Sequence, residues 1–359
     1  MSRAATSGDA LQQRAAVSPM SGELYYGAVV NEETLRARFD LIEIDGEGIL
    51  LDRESGGVYH LNRTACEIWT AVLDGKSAAE ITAALTRRFA VNEERAARDV
   101  VAAIDRIPDA PRKPSSDPCR WEATASGYAF FDDTRLIFEI DPTGSWLRLS
   151  DSIRPTENQT RGYLKSVAPK VLALHGVFVL HASAVEIDGK LLVFSGRSGA
   201  GKTTSARAFA RPAARLVSED LLVMAGSADE PRAVLGGEPA ITSWIVEQAQ
   251  QLARSPEQTV SCEGLDRCVE GRQLPLAEIL MVDADRRAGH QIQREQLTRA
   301  DALVALIESI YFASANASTW HERLDRLRAL TRDVSLSRAT MPPGLPQLQT
   351  AADEFLRSL

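Results

Sequence analysis

The sequence predicts an α/β protein in two parts: a small winged-helix-like α+β unit followed by a larger P-loop domain. Three observations predict it. Gly196-Arg-Ser-Gly-Ala-Gly-Lys-Thr203 matches G-x-x-x-x-G-K-[ST] and lies between an apolar run of strand length and a helix-forming run. Residues 41–107 read as three short strands followed by three amphipathic helices. Pro108-Asp-Ala-Pro-Arg-Lys-Pro-Ser-Ser-Asp-Pro118 carries four prolines and reads as a semi-extended linker between the parts. The expected boundaries are a disordered tail over 1–24, a first domain over 25–107, the linker over 108–118 and the P-loop domain over 119–359.

In the first unit, Leu41–Ile44, Gly48–Leu51 and Gly57–Leu61 are the expected strands, with Asp45-Gly46 and Ser55-Gly56 as turns. Asn62–Leu73 puts Ala65, Ile68, Trp69 and Val72 on one helical face. Ser77–Phe89 opens with the capping-box pattern Ser77-Ala-Ala-Glu80, and Asn92 is an N-cap candidate for a helix reaching Ile107.

On Val58-Tyr-His-Leu-Asn62, Thr64-Ala65, Ile68-Trp69, Asp74-Gly75, Ile81 and Leu85–Phe89 before Val91, this region resembles the pyrroloquinoline-quinone biosynthesis protein D (PqqD) family. The resemblance implies a three-stranded sheet plus three helices. It also implies a precursor or substrate peptide as partner, its leader adding as a strand to the sheet edge and lying against the third helix.

After the linker, Tyr128–Phe131, Leu136–Ile140 and Trp146–Leu149 read as strands, and Tyr163–His175 as a helix. Val177–Ile187 and Lys190–Phe194 form a hairpin through Asp188-Gly189, and Thr204–Ala210 is the helix-forming run beyond the glycine loop. Arg215–Met224 reads as an apolar strand interrupted by adjacent acids, and Leu235-Gly-Gly-Glu-Pro239 as a polar turn that places Glu238 in a loop.

A glycine-rich loop between strand and helix lets backbone N–H groups wrap phosphate oxygens at the positive end of the helix dipole. Gly196, Arg197, Ser198, Gly199, Ala200, Gly201, Lys202, Thr203 and Thr204 are therefore the candidate nucleotide-binding set. In this motif the lysine reaches the β/γ-phosphates and the following hydroxyl ligates Mg²⁺. ATP and Mg²⁺ are the implied cofactors.

Composition removes other classes. A net charge of −8 argues against a dedicated nucleic-acid binder. Residues 1–21 are polar and alanine-rich with no apolar signal region, and no apolar run reaches membrane-spanning length, so a cytoplasmic protein with no membrane partner is expected. Cys66, Cys119, Cys262 and Cys268 are scattered, and no second pair joins Cys262 and Cys268 in a zinc-site spacing. A homo-oligomer is left open.

Around the loop, His181 lies on the preceding hairpin strand, Glu219 and Asp220 on the following apolar strand, and Glu238 beyond. Phosphoryl transfer needs positioning and charge neutralisation, and a hydroxyl acceptor is helped by a carboxylate that takes its proton. Neighbouring strand residues face opposite sides, so one of the two acids faces the nucleotide and the other a loop. His181 is placed to orient the acid or contact a transferring phosphate. Asp220 and Glu238 join Thr203 as candidate Mg²⁺ ligands.

Through Leu180-His-Ala-Ser-Ala-Val185, the P-loop and Leu216-Val-Ser-Glu-Asp220, the chain resembles the catalytic domain of HPr kinase/phosphorylase and its peptide-phosphorylating relatives. Pro275–Leu280 and Ala300–Tyr311 look like that family's C-terminal strand and helix. The resemblance implies a kinase domain with a mixed β-sheet. Glu219 stands where the family has a catalytic aspartate, a departure that keeps the carboxylate and lengthens its reach by one methylene. Asp220 matches the second aspartate. Glu219, Asp220, His181 and Lys202 are the candidate catalytic residues. The expected function is transfer of the γ-phosphate of ATP to a Ser or Thr hydroxyl of a ribosomally made peptide. A small-metabolite kinase and a nucleotide-switched binding module remain as alternatives.

Overall fold

A computed structural model describes residues 32–52, 57–105, 119–225, 230–254, 258–283, 289–307, 309–311 and 317–358. The tail over 1–24, the Ser55-Gly56 turn and the linker over 108–118 lie outside the described residues. The chain opens with α1 (Glu32–Arg38), then β1 (Phe39–Ile44), β2 (Glu47–Asp52) and β3 (Gly57–Leu61), an antiparallel sheet in the order β1-β2-β3. Asp45 and Gly46 close the β1–β2 hairpin in the left-handed region, at φ 54° and 83°, as a two-residue hairpin turn requires. Three helices follow: α2 (Arg63–Leu73), α3 (Ala78–Phe89) and α4 (Glu93–Asp105). Each starts at a side chain that satisfies an orphan N–H group. Asn62 accepts from Ala65, Ser77 and Glu80 form the reciprocal capping box, and Asn92 accepts from Arg95.

β2 does not alternate: Ile49, Leu50 and Leu51 are all buried. Leu50 packs with Phe39, Leu61, Trp69 and Leu73 on the side of α2. Ile49 and Leu51, with Ile44, join a different cluster containing Leu303, Leu306 and Ile307. A strand covered on both faces reads as a continuous apolar run.

The second part begins with β4 (Cys119–Thr124), β5 (Gly127–Asp132), β6 (Arg135–Ile140), β7 (Trp146–Leu149) and α5 (Glu157–Leu174). Then come β8 (Phe178–Ile187), β9 (Lys190–Ser195), α6 (Lys202–Phe209), β10 (Ala214–Ser218), β11 (Leu221–Ala225), β12 (Arg232–Val234), α7 (Gly237–Arg254) and β13 (Thr259–Ser261). A 3-10 turn at Leu265–Val269 leads to β14 (Gln273–Asp283), β15 (Gln293–Gln296), α8 (Arg299–Ile307), α9 (Ala317–Asp333), β16 (Ser335–Thr340) and α10 (Leu345–Ser358).

β13-β7-β6-β5-β4 form one antiparallel sheet. The other sheet has eight strands and is mixed: β14 runs parallel to β9 and β16, and the remaining pairs are antiparallel. The pairings β8–β11, β11–β12, β12–β14, β14–β9 and β9–β8 close into a ring. The chain is thus a mixed α/β protein with a mixed sheet.

Three expectations need correction. The helix read as Tyr163–His175 starts at Glu157, because Thr156 and Gln159 form a second capping box. The strand read over Arg215–Met224 is two strands, β10 and β11, both paired with β8 and separated by a bend at Glu219-Asp220. The polar turn read over Leu235–Pro239 is the start of α7, so Glu238 lies in a helical first turn and not in a loop. Pro239 suits that turn, where its missing N–H costs no intrahelical bond.

Candidate functional site

β9 lies between antiparallel β8 and parallel β14, with Leu191, Val193 and Phe194 fully buried. It delivers Gly196 against β14, where φ is 135° and a Cβ would sit 2.7 Å from the Val282 carbonyl oxygen. Only glycine fits that approach. The loop ends at Gly201, the left-handed N-cap of α6 (φ 99°), and α6 is anchored by Phe209 against Phe194 and Phe355. Arg197, Ser198 and Gly199 are exposed at the crest of the loop, and Thr204 is exposed on α6.

Lys202 is buried at 6% exposure. Its Nζ donates to the main-chain carbonyls of Gly196 (3.0 Å) and Arg197 (3.2 Å). Burial pulls its pKa below the usual lysine value, partly offset by the negative charge of Asp220. Thr203 Oγ1 donates to the Glu219 carbonyl at 2.8 Å, tying the first turn of α6 to the acidic bend.

That bend is held from several sides. Ser183 Oγ also donates to the Glu219 carbonyl (2.6 Å), and the Ala182 N–H to the Asp220 carbonyl (3.1 Å). The two carboxylates then part. Glu219 takes both arms of Arg207, each at 2.8 Å, and this guanidinium holds its carboxyl below the usual range. Asp220 Oδ1 lies 3.0 Å from His181 Nε2. That hydrogen bond leads the causes holding Asp220 below the usual carboxylate range; burial opposes it, and the charges of His181, Lys202 and Lys165 support it. The His181 ring tilts against Tyr311, 5.7 Å between centroids.

Glu238 lies behind the bend. Its Oε2 accepts from the Glu219 N–H (2.7 Å) and its Oε1 from the Asp220 N–H (3.1 Å). Burial pushes its carboxyl up, against the lowering effect of the Glu219 N–H. The structure thus gathers Lys202, Thr203, His181, Asp220 and Glu238 around one bend and turns the Glu219 carboxylate aside to Arg207. Arg207 and Lys165 have no sequence motif; only the i, i+5 step from Lys202 along α6 relates Arg207 to the loop.

Among the described residues no three His, Cys, Asp or Glu side chains are grouped to hold a metal ion. A Mg²⁺ ion fits such a site only with phosphate and water oxygens as most of its ligands. The loop suits an anion: Lys202 is a buried ammonium bonded, among the described residues, only to main-chain carbonyls.

Two adjoining grooves run beside β1, sharing Glu43, Thr70 and Asp74. The larger, about 590 Å³, is lined by Cys66, Ile81, Ala84 and Leu85 among others, with Arg63, Lys76 and Arg88 at its margin. The smaller, about 360 Å³, is lined by Phe39, Leu41 and Leu73. Among the described residues β1 pairs only with β2, at the edge of the three-stranded sheet beside these grooves.

Residues 47–110 match the family described as coenzyme PQQ synthesis protein D (PqqD). The match begins at β2 and takes in β3 and α2–α4, leaving β1 and α1 outside it. Among solved structures, the HPr(Ser) kinase/phosphatase from Coxiella burnetii is similar at 8% identity, over 50% of this chain and 97% of that one, with a TM-score of 0.25. That likeness is too low for any residue to be carried across. No curated protein matches the chain. Among the described residues no helix is long and apolar enough to cross a membrane.

Proposed function

We propose that this chain is an ATP- and Mg²⁺-dependent kinase that transfers the γ-phosphoryl group to a Ser or Thr hydroxyl of a peptide held by its PqqD-like part. The observation that carries the reading is the convergence of Lys202 and Thr203, at the mouth of the glycine loop, with the His181–Asp220 pair. Gly196–Thr204 would cradle the phosphates and Lys202 would exchange its loop carbonyls for phosphate oxygens. Mg²⁺, with Thr203 as a ligand, would neutralise charge on the β- and γ-oxygens.

Asp220 is the proton acceptor in this reading. His181 holds its Oδ1, leaving Oδ2 for the acceptor hydroxyl. The hydroxyl oxygen bonds to the γ-phosphorus, the bond from that phosphorus to the bridging oxygen breaks, the proton passes to Asp220, and ADP leaves. A carboxylate held below its usual range is a weak base, which suits a loose transition state in which orientation outweighs deprotonation. Glu219, neutralised by Arg207, holds α6 to the bend. The peptide would add along β1, its apolar side chains in the adjoining grooves, as a strand beside a strand.

The test is mass spectrometry of a degenerate Ser/Thr peptide pool incubated with the full chain, ATP and Mg²⁺. A phosphate mass gain on peptides, lost in Lys202→Ala, supports the reading. Transfer confined to small hydroxyl metabolites would favour a metabolite kinase, and nucleotide binding without any transfer a switched binding module.

A further inference from the structure

We infer that Glu238 is a positioning residue that sets the direction of the Asp220 carboxylate from behind, and does not itself ligate the metal ion. The inference rests on the kinase reading for its catalytic consequence but not for its geometry. Both oxygens of Glu238 accept a backbone N–H of the bend, and the Ser218 hydroxyl bonds the same carboxylate. One accepts from the Glu219 N–H at 2.7 Å and the other from the Asp220 N–H at 3.1 Å. Two successive N–H groups pointing the same way cannot both join a strand ladder, in which alternate residues donate to opposite sides. They are paired here because a carboxylate spans them.

The placement follows from the fold. Gly236 is left-handed (φ 86°), and a Cβ on Gly237 would meet Val223 side-chain atoms at 2.7 Å, so α7 starts hard against β11. Glu238, next in sequence, thereby meets the bend at the start of β11. α7 is held by Ile241, Trp244 and Ile245, which are buried in the cluster containing Leu221 and Val223. The bend thus has a rigid support, and the two side chains it carries diverge to Arg207 and to His181. A metal on Glu238 would have to share an oxygen that already accepts one of these N–H groups, and would weaken that bond in a half-buried site.

Hydrogen exchange of the full chain, read at the amides of Glu219 and Asp220, tests the geometry without any activity. In Glu238→Gln one carbonyl oxygen remains as acceptor and the amide nitrogen faces an N–H. Exchange at these two amides should rise about tenfold, the effect of losing one charge-assisted hydrogen bond. Glu238→Asp keeps the charge at the start of α7 but shortens the reach by one methylene, and should raise exchange as well. If turnover is measurable in the parent chain, both variants should lose kcat by about tenfold, while the KM for ATP and the half-saturating Mg²⁺ concentration stay within about twofold. Unchanged exchange at both amides in both variants overturns the inference. So does an activity loss reversed by raising Mg²⁺, which would make Glu238 a metal ligand. Should the parent show no turnover with any acceptor, the kinase reading falls, and the exchange result still decides the geometry.

Discussion

At Glu219 and Asp220, two adjacent carboxylates receive different chemistry from their partners alone. A bidentate arginine leaves Glu219 as half of an ion pair, and a single histidine nitrogen holds one oxygen of Asp220, the other being the one proposed to meet the acceptor. Asp220→Asn should lower kcat by about 10²- to 10⁴-fold, the range of a lost general base, and Glu219→Gln by about tenfold or less, in steady-state assays of the two variants. The pH dependence follows from the charged groups around Asp220, which include His181, Lys202 and Lys165, with Glu238 behind. Because its folded-state pKa is depressed, the stability it contributes is present above the ordinary aspartate value and lost as pH falls through the lower, folded value. Activity that needs the ionised carboxylate should persist down to the same acidic range. His181→Ala removes the leading cause of the depression, so the acid limb of the kcat/KM profile should move to higher pH; an unmoved limb would separate His181 from the titration. The residue types were legible in the sequence, but their partition was not. The alternation of strand residues predicts that the acids diverge, but nothing local says that Arg207 waits on one side and Glu238 behind.

The legible elements are those whose ends carry their own chemistry. Ser77 with Glu80, Asn62 and Asn92 announce α3, α2 and α4, and the capping side chains bond as their spacing requires. Thr156 with Gln159 carries the same signal for α5, upstream of the start that the apolar pattern gives at Tyr163. α7 was hidden because Gly236-Gly237-Glu238-Pro239 has the composition of a turn, although proline is also at home in a first helical turn. In the proposed function the peptide meets β1, the edge strand among the described residues, flanked by grooves that take in α2 and α3. Filling the larger groove with Ala84→Trp should weaken peptide capture by about tenfold, equivalent to about 1.4 kcal/mol, with nucleotide affinity unchanged. Calorimetric titrations with a peptide phosphorylated by the parent chain and with ATP measure the two affinities.

For the whole molecule, the sheet of β1–β3 is shared property. Its Leu50 face belongs to α2, and its Ile49 and Leu51 face to the cluster around α8. Arg299 of α8 also reaches Asp45 (3.3 Å), and Asp301 lies 3.5 Å from His60. The three successive apolar residues of β2 are visible in the sequence, but which surface covers the second face depends on contacts about 250 residues away, beyond any local pattern. Ile49→Ala should cost about 2–5 kcal/mol, the range for a fully buried side chain, and should shift the same thermal transition as Leu303→Ala. Two separate transitions in scanning calorimetry, each moved by only one variant, would show that the parts unfold independently.

In the proposed reaction the Gly196–Thr204 loop and the His181–Asp220 pair together move a phosphoryl group onto a peptide hydroxyl. The direct measurement is transfer of radiolabel from [γ-³²P]ATP to a Ser/Thr peptide pool by the full chain with Mg²⁺. Label is expected on serine or threonine with the parent chain, none with Lys202→Ala, and little with Asp220→Asn. Full labelling by Asp220→Asn, or no labelling by the parent chain despite saturating nucleotide, would contradict it.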